Sequence, residues 1–357
     1  MAYLYSMRPY EAIIYGAYGY TGKLITEECK AKAMNVLLAG RDRAKLQTLS
    51  DATDLPFEVC NINDSSGLSS LLRKAKIVIH CAGPFQPTAK QMVEACLVAG
   101  THYLDITGEF TVFEMLAGYD SRAKEMGILV MPGVGFDVVP SDCLALHLKK
   151  RLPTATHLEL SFTMSKGGAS RGTARTMVEG MGYGSMIRKD GRLTPVNLGA
   201  KIAEIDFGAF RKKAICIPWG DISTAWRSTG IPNIQVYFGV THSAVLMAKL
   251  SRWLNWLVRK RWVKDYLRKK VDARPAGPDD DKLYKGRTYL WGRVRDDKGN
   301  SVEARMKTIN GYLLNARMAV IIAGKLLHAD VRPGYHTPAQ YFGEELVFEI
   351  EGTEWVP

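Results

Sequence analysis

The chain is poor in cysteine, with six in 357 residues (at 29, 60, 81, 96, 143 and 216) and no Cys-x-x-Cys pair. That scarcity excludes a disulfide-stapled scaffold and points to reduced thiols in a reducing compartment. Long apolar runs are missing too. No window reaches the roughly 18 apolar residues that a membrane-spanning helix needs. The nearest, 234–248, is broken by Gln235, Thr241, His242 and Ser243. Met1–Glu11 has no extended apolar stretch of the kind that marks a signal peptide, and Glu11 interrupts the first hydrophobic segment. A cytoplasmic location is the expectation. The seven histidines show neither His-x-x-x-His nor His-Glu spacing, and Gly-x-Ser-x-Gly is absent. No metal site is therefore expected, and the residues of a zinc or serine hydrolase are not in place.

What is present is the composition of a globular protein, 46% hydrophobic and 24% charged. At about 150 residues per domain the length suggests two domains. The charge is unevenly spread. Of the net +12, residues 247–270 alone carry nine Lys/Arg against one Asp.

The first 135 residues alternate short apolar runs with helix-length segments. Ala12–Tyr15, Val36–Ala39, Phe57–Cys60, Ile77–Cys81, Tyr103–Ile106 and Ile128–Met131 read as buried strands. Arg43–Ser50, Gly67–Lys74, Lys90–Ala99 and Phe110–Met126 read as helices between them. Such alternation implies parallel strands with right-handed crossovers, in a sheet covered on both faces. After a helix over Pro140–Leu152 the pattern changes. Alternating runs at His157–Thr163, Ile215–Ile217, Gln235–Val240, Thr288–Val294 and Val302–Lys307, with long connections, predict a mixed sheet. The fold class is α/β: an N-terminal Rossmann doubly wound parallel sheet over 1–140, then a second mixed α/β domain over 141–330. A C-terminal segment, 331–357, is expected to pack back on the first domain.

The strongest chemical signal is a glycine triplet, Gly16, Gly19 and Gly22, in GAYGYTG after the first strand and at the head of the first helix. Gly16 can turn tightly, Gly19 lets backbone approach a pyrophosphate, and Gly22 allows close helix–strand packing. Phosphate then sits on the N–H groups of the helix N-terminus, with Tyr18, Tyr20 and Thr21 beside it. The spacing is G-x-x-G-x-x-G, one residue longer in its first gap than the usual fingerprint. About 20 residues on, an NAD site carries Asp or Glu for the ribose. Here the second strand ends in Gly40-Arg41-Asp42-Arg43. Arg41 can fork onto a 2′-phosphate, so NADP(H) is the expected cofactor. The alternative has Arg41 merely ending the strand and Asp42 taking the ribose.

Cys81, Ala82, Gly83 and Pro84 follow the fourth strand, where a dinucleotide crosses the sheet, and Asn61 follows the third, toward the adenine end. Phe85, Asp105, Glu109 and Phe136 lie at strand ends or just beyond them and are candidates for the substrate side. Arg171 and Arg175 could bind an anionic group; a solvated loop explains them equally. Asp137, Ser141 and Tyr103 are candidate proton carriers, with helix capping an alternative for Ser141. Tyr266 and Lys270 have Tyr-x-x-x-Lys spacing, but they fall in the lysine-rich segment, where coincidence suffices.

These segments resemble the saccharopine dehydrogenase-like oxidoreductases, in particular the bacterial branch that includes trans-acting enoyl reductases. The matching pieces are GAYGYTG (16–22), LAGRDRAKL (38–46), HCAGPF (80–85), EACLVAGTHYLDITGE (94–109) and GVGFDVVPSD (133–142). SRGTARTMVEG (170–180) and RPGYHTPAQYFG (332–343) are similar to the same branch. The resemblance implies a Rossmann domain, NADP(H) and an oxidoreductase reaction: hydride transfer to or from a C=C, C=O or C=N bond of a small or lipid-like substrate, with enoyl reduction first. A non-catalytic NADP(H) sensor or scaffold is the alternative.

Within the basic segment, Leu246, Met247, Leu250, Trp253, Leu254, Leu257 and Val258 recur at helical spacing, opposite Lys249, Arg252, Asn255, Arg259 and Lys260. A basic amphipathic helix over Leu246–Lys270 is predicted, able to lie on an anionic membrane surface at the inner face of the membrane. Plain packing on the protein is the alternative. Nucleic acid is not expected as a partner, since no recognised binding motif accompanies the charge. A homodimer is compatible with the sequence.

Overall fold

A computed structural model describes residues 8–165, 170–246, 248, 256 and 258–357. The chain forms two compact units. The first is Met1–Asp137 with Tyr312–Tyr341, the second Val138–Gly311 with Phe342–Pro357.

In the first unit, strands β1 (Tyr10–Tyr15), β2 (Val36–Gly40), β3 (Phe57–Val59), β4 (Ala75–His80), β5 (His102–Asp105) and β6 (Leu129–Met131) alternate with helices α1 (Tyr20–Ala31), α2 (Arg43–Thr53), α3 (Ser65–Leu72), α4 (Ala89–Ala99), α5 (Phe110–Ala117) and α6 (Asp120–Glu125). With β15 (Gly334–Tyr335) the strands form one parallel sheet in the order β15-β6-β5-β4-β1-β2-β3. The order reverses at β1, which lies between β2 and β4; in such sheets the crevice at the carboxyl ends of those strands takes the ligand. Every residue of β2 is buried, as expected where helices cover both faces. Asp42 and Asp64 start α2 and α3 by accepting from the N–H groups of Lys45 and Gly67. The single helix expected over Phe110–Met126 is broken, because Gly118 ends α5 and Tyr119 starts α6.

The second unit opens with α7 (Val139–Arg151) and holds β7 (His157–Met164), α8 (Arg171–Gly180), β8 (Ser185–Lys189), β9 (Arg192–Val196), β10 (Ile202–Asp206), β11 (Arg211–Cys216), α9 (Asp221–Thr229), β12 (Asn233–Gly239), α10 (Arg261–Asp272), α11 (Asp280–Lys285), β13 (Arg287–Arg295), β14 (Ser301–Ile309) and β16 (Glu354–Val356). Its sheet runs β10-β11-β12-β7-β13-β14-β16, with β8 joining β12 to β9. β12 and β7 are parallel and the other pairs antiparallel, which makes the mixed sheet anticipated from the sequence. Gly292 in β13 lets α7 sit close, since a Cβ there would lie 2.7 Å from Leu148 Cδ1.

The division differs from three consecutive segments. Helix α12 (Gly311–Leu327) belongs, from Tyr312 on, to the first unit. Its Tyr312 ring meets Tyr20 edge-on at 5.2 Å, and Arg317 lies 4.0 Å from Glu28 of α1. The C-terminal segment is shared. β15 pairs with β6, and Tyr335 N–H donates to Asp120 (2.9 Å). β16 instead pairs with β14, and Glu344 reaches Lys150 of α7 at 3.1 Å. Local periodicity identifies a helix or strand, but the partner across which it buries its apolar face is a non-local choice.

The predicted helix over 246–270 is also not one element. Leu246, Ala248, Trp256 and Val258 are helical, but Met247, the stretch 249–255 and Leu257 lie outside the described residues. Arg259 and Lys260 then break the helix; Lys260 is extended (φ −63°, ψ 135°) and starts α10. Arg259 is drawn off by tertiary contacts, donating to Gly182 O (2.8 Å) and lying over the Tyr183 ring.

Because α12 completes the first unit, Ile322→Ala, at a fully buried position, should cost about 2–5 kcal/mol. Thermal unfolding with and without NADPH checks this, and the loss should appear in the cofactor-stabilised transition.

Candidate dinucleotide site and the carboxylates beside it

The turn between β1 and α1 is shaped by three glycines in three ways. Gly16 has φ +85°, and a Cβ on it would lie 2.9 Å from Ala82 N and Cβ in the loop after β4. Gly22 packs helix on turn, since its Cβ would fall 2.5 Å from Gly16 O. Gly19 is the N-cap of α1 and has no side-chain cap. The first N–H groups of a helix have no acceptor within it, so the head of α1, at Tyr20 and Thr21, suits an anion. The narrow cradle of backbone that a pyrophosphate needs is therefore built.

At the end of β2, the Tyr18 ring lies on Gly40, where a Cβ would be 2.6 Å from Tyr18 Cε1. Lys45 Nζ stands 5.6 Å from the centre of that ring. Asp42 is engaged: it accepts from Lys45 N–H (3.2 Å), pairs with Lys45 Nζ (2.8 Å), and these bonds hold its carboxyl below the usual carboxylate range. Of the two readings of this strand end, capping by Asp42 leaves the exposed Arg41 as the group presented to solvent. Asn61, after β3, is exposed and accepts from Asn63 N–H (3.0 Å), forming a local turn.

The loop after β4, Cys81–Phe85, is tied from two sides. Thr88 Oγ1 lies 3.1 Å from His80 Nε2 and donates toward Ala82 O and Pro84 O at 3.1 Å each. His80 is fully buried, and burial pushes its pKa down to about 3, so the ring is neutral. From the other side Glu109 accepts from Phe85 N–H (2.9 Å) and Gln86 N–H (3.0 Å). Phe85 meets the His80 ring edge-on at 5.3 Å. His80 and Thr88 were not singled out from the sequence. The signal for them was a polar residue closing an apolar strand and a threonine one turn past Pro84.

Three carboxylates gather at this edge of the first unit. Asp105 accepts from Tyr103 Oη (2.5 Å), Thr107 N–H (3.0 Å) and Gly133 N–H (2.8 Å). Burial nevertheless raises it to about 6. Tyr103 is fully buried, with its hydroxyl on Asp105, so it stands behind the carboxylates and braces them. Asp137 is raised to about 7, first by burial and then by the charges of Glu109 and Asp105. Gly108 backs directly onto it, since a Cβ there would lie 3.0 Å from Asp137 Cγ. Phe136 beside it is buried.

The remaining candidates lie in the second unit. Ser141 is buried in the first turn of α7 and donates to Val138 O at 3.2 Å, a local helix-start contact. Arg171 and Arg175 stand on α8, not in a loop, and Arg175 pairs with Asp272 of α10 at 2.7 Å. Among the described residues no cluster of three or more His, Cys, Asp or Glu is arranged to hold a metal ion.

A glycine turn at the reversal point of a doubly wound parallel sheet defines a Rossmann-type dinucleotide-binding protein. Residues 12–131 match the family described as saccharopine dehydrogenase NADP binding domain. Residues 12–131 thus form an NADP-binding domain of the saccharopine dehydrogenase kind, and the cofactor is NADP(H). It is 28% identical over 207 residues to the saccharopine dehydrogenase-like oxidoreductase of Mus musculus, covering 51% of this chain and 48% of that one. To the trans-acting enoyl reductase of Mycobacterium ulcerans it is 30% identical over 190 residues, 49% of this chain and 46% of that protein. The chain thus spans about half the length of the curated relatives it matches. In fold it is similar to the saccharopine dehydrogenase (L-Glu forming) of Saccharomyces cerevisiae, at TM-score 0.65 and 12% identity over 98% of this chain and 100% of that one.

Gly22→Ala should strain the turn by about 1–3 kcal/mol, because the new methyl meets backbone oxygens and not yielding side chains. Fluorescence titration should show NADPH binding weakened more than overall stability is lost.

Proposed function

We propose that the protein is an NADPH-dependent reductase that transfers a hydride to a polarised double bond, with a C=C bond conjugated to a carbonyl as the first substrate class. The observation that carries the reading is the juxtaposition, within one unit, of the dinucleotide cradle and a protonatable Asp137 at the same edge of the sheet. The similarity to an enoyl reductase supports the C=C bond over C=O and C=N. A small or lipid-like acceptor reduced in the cytoplasm fits the same reading.

NADPH, when bound, supplies the hydride from its nicotinamide ring. The chain's residues do the rest. Gly16, Gly19 and Gly22 seat the pyrophosphate on the head of α1. Arg41, with Lys45 nearby, would hold the 2′-phosphate, and Tyr18, stacked at the end of β2, would flank it. Ala82, Gly83 and Pro84, in a loop fixed by Thr88 and Glu109, would line the nicotinamide end of the cofactor. Hydride addition to one carbon leaves an enolate, and Asp137 delivers the proton that completes the saturated product. Phe85 and Phe136 flank the acceptor and keep water from competing.

Titration with NADPH and NADH side by side tests the cofactor assignment. The wild type should prefer NADPH, and Arg41→Ala should lose that preference by about 10-fold or more, the scale of a charge-assisted bond. If neither nucleotide binds, the reading fails. If NADPH binds but no enone, imine or aldehyde oxidises it, the same unit acts as a sensor instead.

Asp137 gives a pH test. Reduction needs its proton, so the rate should be flat below about pH 7. Above that it should fall about tenfold per unit. Asp137→Asn should lower kcat about 100-fold or more with NADPH affinity unchanged. Stability carries the same sign. The folded chain holds this proton up to about pH 7 and the unfolded chain releases it near 3.8. Stability therefore declines as pH rises from about 3.8 to about 7 and levels off above, where both states are ionised, and Asp137→Asn should flatten that decline.

A further inference from the structure

Helices α8 and α10 pack as a pair. Val271 joins Ala174 and Val178 in a small core, and Arg268 of α10 pairs with Glu179 of α8 at 2.7 Å. This pairing uses up one side of α10. The other side projects Trp262 and Tyr266, 66% and 54% exposed, with Lys269 next along the same face. Trp256, just upstream, is 65% exposed, and Met177 on α8 is 54% exposed. Between the two helices runs a groove of about 230 Å³, lined by apolar side chains that include Met177 and Leu267, and by Lys270 and Arg274.

The charge at this face is predominantly positive. From 256 to 274 there are eight Lys/Arg and two Asp. Both acids are already engaged, Asp265 with Arg268 (2.6 Å) and Asp272 with Arg175 (2.7 Å). Among the described residues, Lys260, Arg261, Lys269 and Lys270 form no ion pair; Lys270 lies 4.9 Å from the Tyr266 ring centre. Large aromatic side chains left in water beside unpaired cations match the headgroup layer of a bilayer, where rings with an apolar body and a polar tip sit and anionic lipids neutralise Lys and Arg. A nucleic-acid site would be expected to extend the charge along a longer track and to bring base-reading elements with it. Among the described residues no helix is long and apolar enough to cross a membrane.

We infer that the α8–α10 face of the second unit docks on a membrane surface rich in anionic phospholipid. Trp256, Trp262 and Tyr266 enter the headgroup layer, and Arg261, Lys269 and Lys270 meet the lipid charges. The inference stands apart from the reductase reading, since it uses none of the cofactor unit's residues.

Vesicle co-sedimentation of the whole chain tests it, with phosphatidylcholine vesicles against vesicles that also contain phosphatidylserine. Binding is expected to the second kind alone, with release by high salt and a blue shift of tryptophan emission on binding. The pair Lys269→Glu and Lys270→Glu should weaken binding by more than the about fivefold per cation that neutralisation alone would give. The pair Trp256→Ala and Trp262→Ala should weaken binding and diminish the blue shift. NADPH titration on the same samples shows that each variant is folded. The inference is overturned by absence of binding to either vesicle, by equal binding to both, by variants that bind as the wild type does, or by preference for an oligonucleotide over the anionic vesicle.

Discussion

The first unit depends on how closely two backbones approach where its sheet reverses direction. The turn after β1 presses on the loop after β4 so tightly that a single methyl on Gly16 would lie 2.9 Å from Ala82. Gly22 closes the same contact from the helix side, its missing Cβ leaving room for the oxygens of Gly16 and Ala17. Without these absent side chains, α1 could not begin where it does, and the head of the helix would not face the crevice. The uncapped helix start is thus a consequence of packing, left by the same contact that joins β1, α1 and the β4 loop.

The carboxyl groups beside that crevice divide their work according to their surroundings. Asp105 is surrounded by donors and ties β5 to the residues after β6. Glu109 spends both oxygens on the N–H groups of Phe85 and Gln86 and holds the β4 loop in place. Asp137 is pushed furthest toward the protonated form, because it shares a poorly solvated region with the other two. Like charges in one low-dielectric region cannot all ionise at little cost, so one of them retains a proton. The nearby His80 is sealed in the core and neutral, so it adds no charge to this region.

Much of this was legible from residue order. Six apolar runs separated by helix-length segments, the glycine triplet and Arg41 at the end of β2 are all local patterns, and each falls within a residue or two of its place in the structure. Other features were not legible. That Tyr103 backs the carboxylates, that Asp42 is consumed by Lys45, and that His80 and Thr88 brace the loop depend on which side chains face each other across strands and turns. The helix α12 was not singled out from the sequence, and its place beside α1, where Arg317 faces Glu28 and Tyr312 meets Tyr20, rests on contacts between residues far apart in the chain.

The sequence by itself determined the winding of the first unit, the position of the dinucleotide turn and the preference for NADP(H). These follow from short-range rules, in which period, glycine and charge act within one turn or one strand. The tertiary structure decided which carboxyl is pushed furthest toward its protonated form, how the C-terminal segment is shared between two sheets, and where the basic segment breaks into separate helices. The physical reason is the same in each case. Burial, the field of neighbouring charges and the partner of an apolar face are properties of residues far apart in the chain, and they come into being only when the chain has folded.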